Sequence, residues 1–181
     1  MRTTSQGDPM TTTCAYTSPI GTITLESDGE ALTSLWIEGQ RTDIPKDENP
    51  RKTETSTTDP ILLQTCNWLD IYFAGKEPPF MPPVKLNGTP FQLAVWHILQ
   101  RIPYGTTTTY GDIAKEIAAQ TGKAKMSAQA VGGAVGSNPV SIIVPCHRVM
   151  GANGRLTGYQ GGIHLKTSLL QLEGLDTDRY R

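Results

Sequence analysis

Between residues 12 and 37 the chain runs in short β-prone stretches, TTTCAYT, GTITLES and LTSLWIE, broken by Ser18-Pro19, Gly21 and Asp28-Gly29. Such runs between tight turns predict an antiparallel meander or hairpin. Residues 38–58 are rich in Thr, Pro and charge, lack apolar spacing and read as a long loop. The pattern turns helical at Asp59-Pro60, a good N-cap followed by proline at the first helical position. Ile61, Leu62, Leu63, Trp68, Leu69, Ile71, Tyr72 and Phe73 then supply the apolar positions, and Gly75 is the stop. PPFMPPVKLNG follows as a proline-rich linker.

Thr89-Pro90 repeats the cap before FQLAVWHILQRI, where Phe91, Val95, Ile98, Leu99 and Ile102 form a helical stripe ending before Pro103 and Gly105. Thr109, with Asp112 three residues on, resembles a capping box opening YGDIAKEIAAQTG, closed by Gly122. Ser127 caps a short segment, SAQAVGGAVG, which Asn138-Pro139 ends. Two short helices about five residues apart have the length signature of a helix-turn-helix. A β-branched run, SIIV, reads as a strand leading into PCHRVM, so that Cys146 sits at a strand end. A turn at Ala152-Asn153-Gly154 and an amphipathic helix over about 163–173, stopped by Gly174, complete the chain.

With 181 residues, 37% hydrophobic and 18% charged, and a mean hydropathy of -0.31, the sequence is that of a globular protein of one or two domains. It has no apolar run near the ~18 residues of a membrane span. Three cysteines make no disulfide framework and the start lacks a signal-peptide pattern, which predicts a reducing, cytoplasmic setting. The net charge of -1 hides an asymmetry. Residues 1–85 hold 7 Lys and Arg against 12 Asp and Glu, a balance of -5; residues 86–181 hold 9 against 5, a balance of +4, with all three histidines. That split hints at an acidic companion domain and a basic half facing an anionic partner.

Pro145-Cys146-His147-Arg148-Val149 is the most informative string. A free thiol, with a pKa of about 8.5, needs a base or a positive charge nearby to act as a nucleophile. Spacing alone fits a small buried cysteine beside a solvated basic pair at least as well. Cys14 and Cys66 lie in strand and helix patterns and read as core. No close Cys/His cluster suggests a metal. In residues 127–136, Ala128, Ala130, Gly132, Gly133, Ala134 and Gly136 make an expensive helix, since each glycine costs roughly 1 kcal/mol against alanine. Close approach of a backbone, from another helix or a nucleic-acid groove, would offset it; Val131 and Val135 would face inward and Gln129 outward. Gly151 to Gly154 and Gly158-Tyr159-Gln160-Gly161-Gly162 match no phosphate loop; they fit either a pocket wall for a planar ligand or an ordinary hairpin and helix lead-in.

AVGGAVGSNPVSIIVPCHRV, GRLTGYQGG and LLQLEG together resemble the O6-alkylguanine-DNA alkyltransferases, also called methylated-DNA–protein-cysteine methyltransferases, over roughly residues 89–174. The resemblance implies an α+β chain with a small N-terminal RNase-H-like sheet and helix domain, then a mostly helical, winged-helix-like C-terminal domain containing the helix-turn-helix. The corresponding boundaries are a flexible tail (1–11), an N-terminal α/β domain with its linker (12–85) and a DNA-binding, alkyl-acceptor domain (86–181). It also implies a single-turnover reaction in which Cys146 takes the alkyl group, chiefly methyl, from O6 of a flipped-out guanine; O4-alkylthymine is left open. His147 would act as base through a water, Glu173 would orient that imidazole, Tyr110 would donate to the base ring, and Asn138 would brace the turn. Carbonyls of Cys146 and Val149 would read the guanine amino group, the backbone near Tyr159 and Gln160 would meet O6, and Val135 would line the pocket. Ser127, Ala128, Gln129, Ala130, Gly132 and Arg148 complete the implied DNA contacts, with the small-residue helix in the minor groove of double-stranded DNA. No cofactor, metal or membrane is implied; the protein would act as a monomer, with cooperative assembly along DNA left open.

Three departures from the family pattern stand out: Gln129 where many members have arginine, Gln160 where some have serine, and Ser141 where some have proline. The zinc-ligand pattern of some N-terminal domains is absent. Two rival readings are a lesion binder, which generally lacks the acceptor cysteine, and a thiol redox sensor, which needs no Glu173. A cysteine hydrolase usually has its Cys and His far apart in sequence.

Overall fold

Alternating burial builds the N-terminal layer. In the computed structural model, which describes residues 11–40 and 58–180, Ile23, Leu25, Leu35 and Ile37 point inward on adjacent strands. The tail expected over 1–11, Thr11 apart, and nearly all of the loop expected over 38–58 lie outside the described residues. β1 (Thr12–Ser18), β2 (Gly21–Ser27) and β3 (Leu32–Ile37) form an antiparallel sheet in that order, with a register shift at Glu26/Ser27. α1 (Pro60–Phe73) packs across all three strands through Leu62, Trp68, Leu69 and Tyr72. It begins where the sequence predicts: Asp59 accepts from the backbone N–H groups of Ile61 (2.7 Å) and Leu62 (3.2 Å).

The remainder is mostly helical, and the protein is α+β as expected. α2 (Pro90–Gln100) opens with a capping box in which Thr89 and Gln92 satisfy each other's backbone N–H. β4 (Thr108–Thr109) leads into α3 (Tyr110–Thr121), whose cap is Thr109 and whose stop is Gly122 at φ 66°. Asp112 binds the Thr109 hydroxyl rather than its backbone N–H, so this end is capped in one direction only. Residues 122–127 separate α3 from α4 (Ala128–Gly136), and the two pack together as a helix-turn-helix. Val131, Ala134 and Val135 face the core, and the Trp96 indole N–H donates to the Ala134 carbonyl at 2.7 Å, joining α2 to α4.

The SIIV run is not a strand. Residues 141–144 form turns. A three-residue turn from the Ser141 carbonyl to the Ile143 N–H (2.8 Å) centres on Ile142 at φ 68°. A second, from the Val144 carbonyl to the Cys146 N–H (2.8 Å), centres on Pro145 at φ -80°, ψ 67°, the geometry of an inverse γ-turn. The β-branched residues are buried as a strand's would be, but by the surrounding core. Cys146 therefore starts a 3-10 turn (Cys146–Arg148) and does not end a strand. β5 (Val149–Met150) then pairs in parallel with β4, and α5 (Ile163–Leu172) follows.

The two halves share one core. The free edge of β3 receives residues from the linker and from the C-terminal half: Leu32 exchanges backbone hydrogen bonds with Pro83 and Lys85, and Leu35 with Pro139 (2.9 Å) and Ser141 (3.0 Å). The segment that presents Cys146 is thus fastened to the N-terminal sheet.

Candidate active site

A pocket of about 720 Å3 opens between α3, one face of α4 and the loop before α5. Cys146 lies in its wall, with Tyr110, Asn138, Ala128, Gln129, Gly132, Val135, Tyr159 and Gln160. The structure brings together most of the residues singled out from the sequence. Ser127 stands beside the pocket, capping α4 by accepting from the Ala130 N–H (3.3 Å), in a shallow hollow with Lys115, Lys123 and Lys125. Ala130 is exposed and outside the lining. His147, Arg148, Val149 and Glu173 lie behind the pocket wall, in the interior.

Asn138 holds the turn from both ends: its amide donates to the Val144 carbonyl (2.7 Å) and its oxygen accepts from the Val140 N–H (3.0 Å). Burial pushes the Cys146 thiol above its ordinary pKa, opposed by the Asn138 side chain, the Lys166 charge and the Tyr159 hydroxyl. Cys146 is therefore held as a thiol. Burial also raises Tyr110, as would a thiolate at Cys146, which keeps its phenol protonated; its hydroxyl donates to the Gly158 carbonyl at 3.3 Å. The Tyr159 hydroxyl is buried near Gln40, Ser141 and Cys146 without a well-formed hydrogen bond to any of them.

Behind Cys146, His147 and Glu173 are fully enclosed. His147 Nε2 lies 2.6 Å from Glu173 Oε1, and Nδ1 has no hydrogen-bond partner among the described residues. Burial holds the imidazole below its ordinary pKa despite the Glu173 charge, so the ring is neutral, with Nε2–H donating to the carboxylate and Nδ1 free to accept. Although burial opposes ionisation of Glu173, hydrogen bonds from His147 and Arg148, with the charge that His147 carries once protonated in acid and the Arg148 charge, bring it down to about 2. The basic pair is not solvated. Arg148 donates to both Glu173 oxygens (2.8 and 3.0 Å) and to the Ile102 carbonyl (2.6 Å), and lies 5.7 Å from the Tyr104 ring centre. A DNA contact by Arg148 does not fit this placement, because its donors are committed to interior acceptors.

Three further groups escaped the sequence reading. Lys166 is 0% exposed, donates to the Val149 and Thr157 carbonyls, and is brought down to about 8 by burial. Its signal was present: Lys166 precedes Leu169 and Leu170 on the inward face of one amphipathic helix, and Glu173 ends that helix on the same side. Gln40, from the N-terminal half, lines the pocket, and Tyr72, from α1, donates to Glu173 at 2.8 Å. Nothing local in sequence marks either. Among the described residues no three His, Cys, Asp or Glu side chains converge as a metal site, and no helix is long and apolar enough to cross a membrane.

The glycines of α4 separate the two explanations offered for them. A Cβ built on Gly133 or Gly136 meets no atom within 4 Å, and both residues are exposed, so internal packing does not require them. Close approach from outside remains.

Residues 90–175 match the sequence profile of the 6-O-methylguanine DNA methyltransferase DNA-binding domain, and residues 13–86 that of the ribonuclease-like domain of the same proteins. A methylated-DNA–protein-cysteine methyltransferase of Mycobacterium tuberculosis is 44% identical over 156 residues, covering 86% of this chain and 88% of the relative. One of Methanosarcina acetivorans is 44% identical over 160 residues, covering 88% and 96%. The crystal structure of Mycobacterium tuberculosis OGT in complex with DNA superposes with a TM-score of 0.72 at 42% identity, covering 89% of this chain and 91% of that one.

Proposed function

The chain belongs to the 6-O-methylguanine DNA methyltransferase family, and from that premise we propose that it moves the alkyl group of an O6-alkylated guanine onto its own Cys146. The protein is a methylated-DNA–protein-cysteine methyltransferase that acts in DNA repair, and DNA is its partner. One observation carries the choice of acceptor: of the three cysteines, Cys146 alone lines the pocket, while Cys14 and Cys66 belong to β1 and α1.

In the reaction Sγ attacks the alkyl carbon; the C–S bond forms as the C–O6 bond breaks, and the electron pair passes to O6. The thiol proton goes to His147 Nδ1 through one water, and the anionic Glu173 stabilises the imidazolium so formed. Tyr110, kept protonated, donates to the base ring as negative charge builds on the guanine, which then recovers the proton as its neutral lactam. The thioether offers water no ready leaving group, so each chain reacts once. Asn138 keeps the Cys146 turn in shape, and the Cys146 and Val149 carbonyls read the guanine amino group. Val135, Tyr159 and Gln160 bound the base.

α4 enters the minor groove of duplex DNA, where its exposed glycines and alanines admit the backbone and Gln129 fills the space of the flipped base. Ser127 and the lysines around it meet the phosphates. The protein acts as a monomer in the cytoplasm, where a free thiol persists. Duplex DNA carrying tritium in an O6-methyl group tests this reading. The label should pass to the protein, at no more than one methyl per chain, and Cys146→Ala should take up none; full uptake by Cys146→Ala would overturn the assignment.

A further inference from the structure

Glu173 is held from the other half of the molecule. Its Oε1 accepts from His147 Nε2 and Arg148 Nη2, and its Oε2 from Arg148 Nε and the Gly105 N–H (3.2 Å), all donors from residues 90–175. The remaining donor comes from α1: the Tyr72 hydroxyl reaches Oε1 at 2.8 Å and stands 3.4 Å from His147 Nε2. Tyr72 is 0% exposed, and its ring has little freedom. It stacks on Trp68 (5.2 Å between centres, 11° between planes) and meets Tyr104 edge-on (6.2 Å, 87°). A rigid hydroxyl aimed at the same carboxylate oxygen as the imidazole fixes where that oxygen sits.

We propose that Tyr72 is a positioning residue for alkyl transfer: the N-terminal half uses its hydroxyl to set the Glu173 carboxylate and, through it, the His147 ring. The proposal rests on the assignment of Cys146 as acceptor and His147 as base. It gives the acidic N-terminal half a part in the chemistry, beyond the sheet edge that anchors residues 139–141. Tyr72 touches neither the thiol nor the pocket; its shorter contact is with Glu173, at 2.8 Å, and it acts chiefly through that carboxylate. The charged and titratable groups facing His147 are Lys166 from α5, Glu173 from its C-terminal cap, Arg148 from the 3-10 turn, and Tyr72 from α1. Of these, the Tyr72 hydroxyl draws carboxylate charge away from the ring. Without it the carboxylate favours the imidazolium more strongly, and the neutral base is lost at a higher pH.

Tyr72→Phe keeps the ring and removes the hydroxyl. The single-turnover rate of methyl transfer from an O6-methylguanine duplex should fall about tenfold, within the ~10²-fold that small misplacements of reacting groups can cost. The acid limb of the pH–rate profile should move to higher pH. In a Glu173→Gln background the same substitution should cost less than in the parent, because its route through the carboxylate is cut. A thermal melt of each variant separates loss of fold from loss of positioning, since a role in packing alone would lower the melting temperature and leave the acid limb in place. A Tyr72→Phe rate within twofold of the parent, with an unmoved limb, would overturn the proposal while leaving Cys146 as acceptor. Failure of the parent protein itself to take up methyl would overturn both.

Discussion

Glu173→Gln preserves the shape of a buried side chain while removing its charge, and its cost can be worked from the structure. Arg148 is almost entirely enclosed, and in the variant it keeps only neutral acceptors, the new amide oxygen and the Ile102 carbonyl, with no anion to pair its charge. Breaking a buried ion pair from one side costs about 3–5 kcal/mol. Linkage gives a second measure. Glu173 lies at about 2 in the folded protein against its ordinary 4.5, and at 1.36 kcal/mol per pH unit this is on the order of 3 kcal/mol. The sign follows from the direction of the shift. A depressed carboxyl contributes fully above its unfolded value and loses that contribution as pH falls through its folded one. The parent should therefore lose this stabilisation between about pH 4.5 and 2, and Glu173→Gln should not. Guanidinium unfolding of both proteins at a series of pH values gives the difference directly. At pH 7 the variant should be less stable by about 3–5 kcal/mol, or roughly 6–20 °C in melting temperature at ~2–4 °C per kcal/mol. The gap should narrow below pH 4.5. Equal stability at pH 7, or a gap that does not change with pH, would refute the reasoning.

Alkylation should loosen the fold. A methyl group added at Cys146, 7% exposed, should cost about 1–3 kcal/mol, read as a lower melting temperature for the methylated protein than for the free thiol; a higher one would contradict this. Gly133→Ala and Gly136→Ala should each stabilise α4, by up to about 1 kcal/mol, because the methyl group meets no other atom. Both should weaken binding to duplex DNA in a fluorescence anisotropy titration, and unchanged affinity would remove α4 from the groove. If Gln129 acts on extrusion of the base, as proposed, Gln129→Ala should slow methyl transfer from duplex DNA more than from free O6-methylguanine; equal slowing of the two substrates would refute that role.

What the sequence disclosed and what it withheld divide along a physical line. Local signals held: Asp59, Thr89, Thr109 and Ser127 cap the helices they were expected to cap, because a cap depends on its own next three residues. The SIIV run misled because burial of β-branched residues looks the same in a strand and in a packed turn. Ile142 sits at positive φ in a turn that Asn138 braces and that Pro139 and Ser141 fasten to Leu35, about a hundred residues away in sequence. The PCHRV string pointed to Cys146 and His147, yet the state of its basic pair was hidden. Arg148 is interior because Glu173 and the Ile102 carbonyl surround it, and neither is near it in sequence. Tyr72 and Gln40 were invisible for the same reason: each reaches the site from the other half of the chain. Alternation and helical stripes report which face of an element is buried, and they are silent on which polar groups meet there.

The proposed reaction requires that Cys146, and no other residue, receive the alkyl group. The most direct measurement is peptide mass spectrometry of the protein after reaction with excess O6-methylguanine duplex. One methyl group per chain, confined to the peptide containing Cys146, is the predicted result. Methylation at Cys14 or Cys66, or more than one equivalent per chain, would contradict the account.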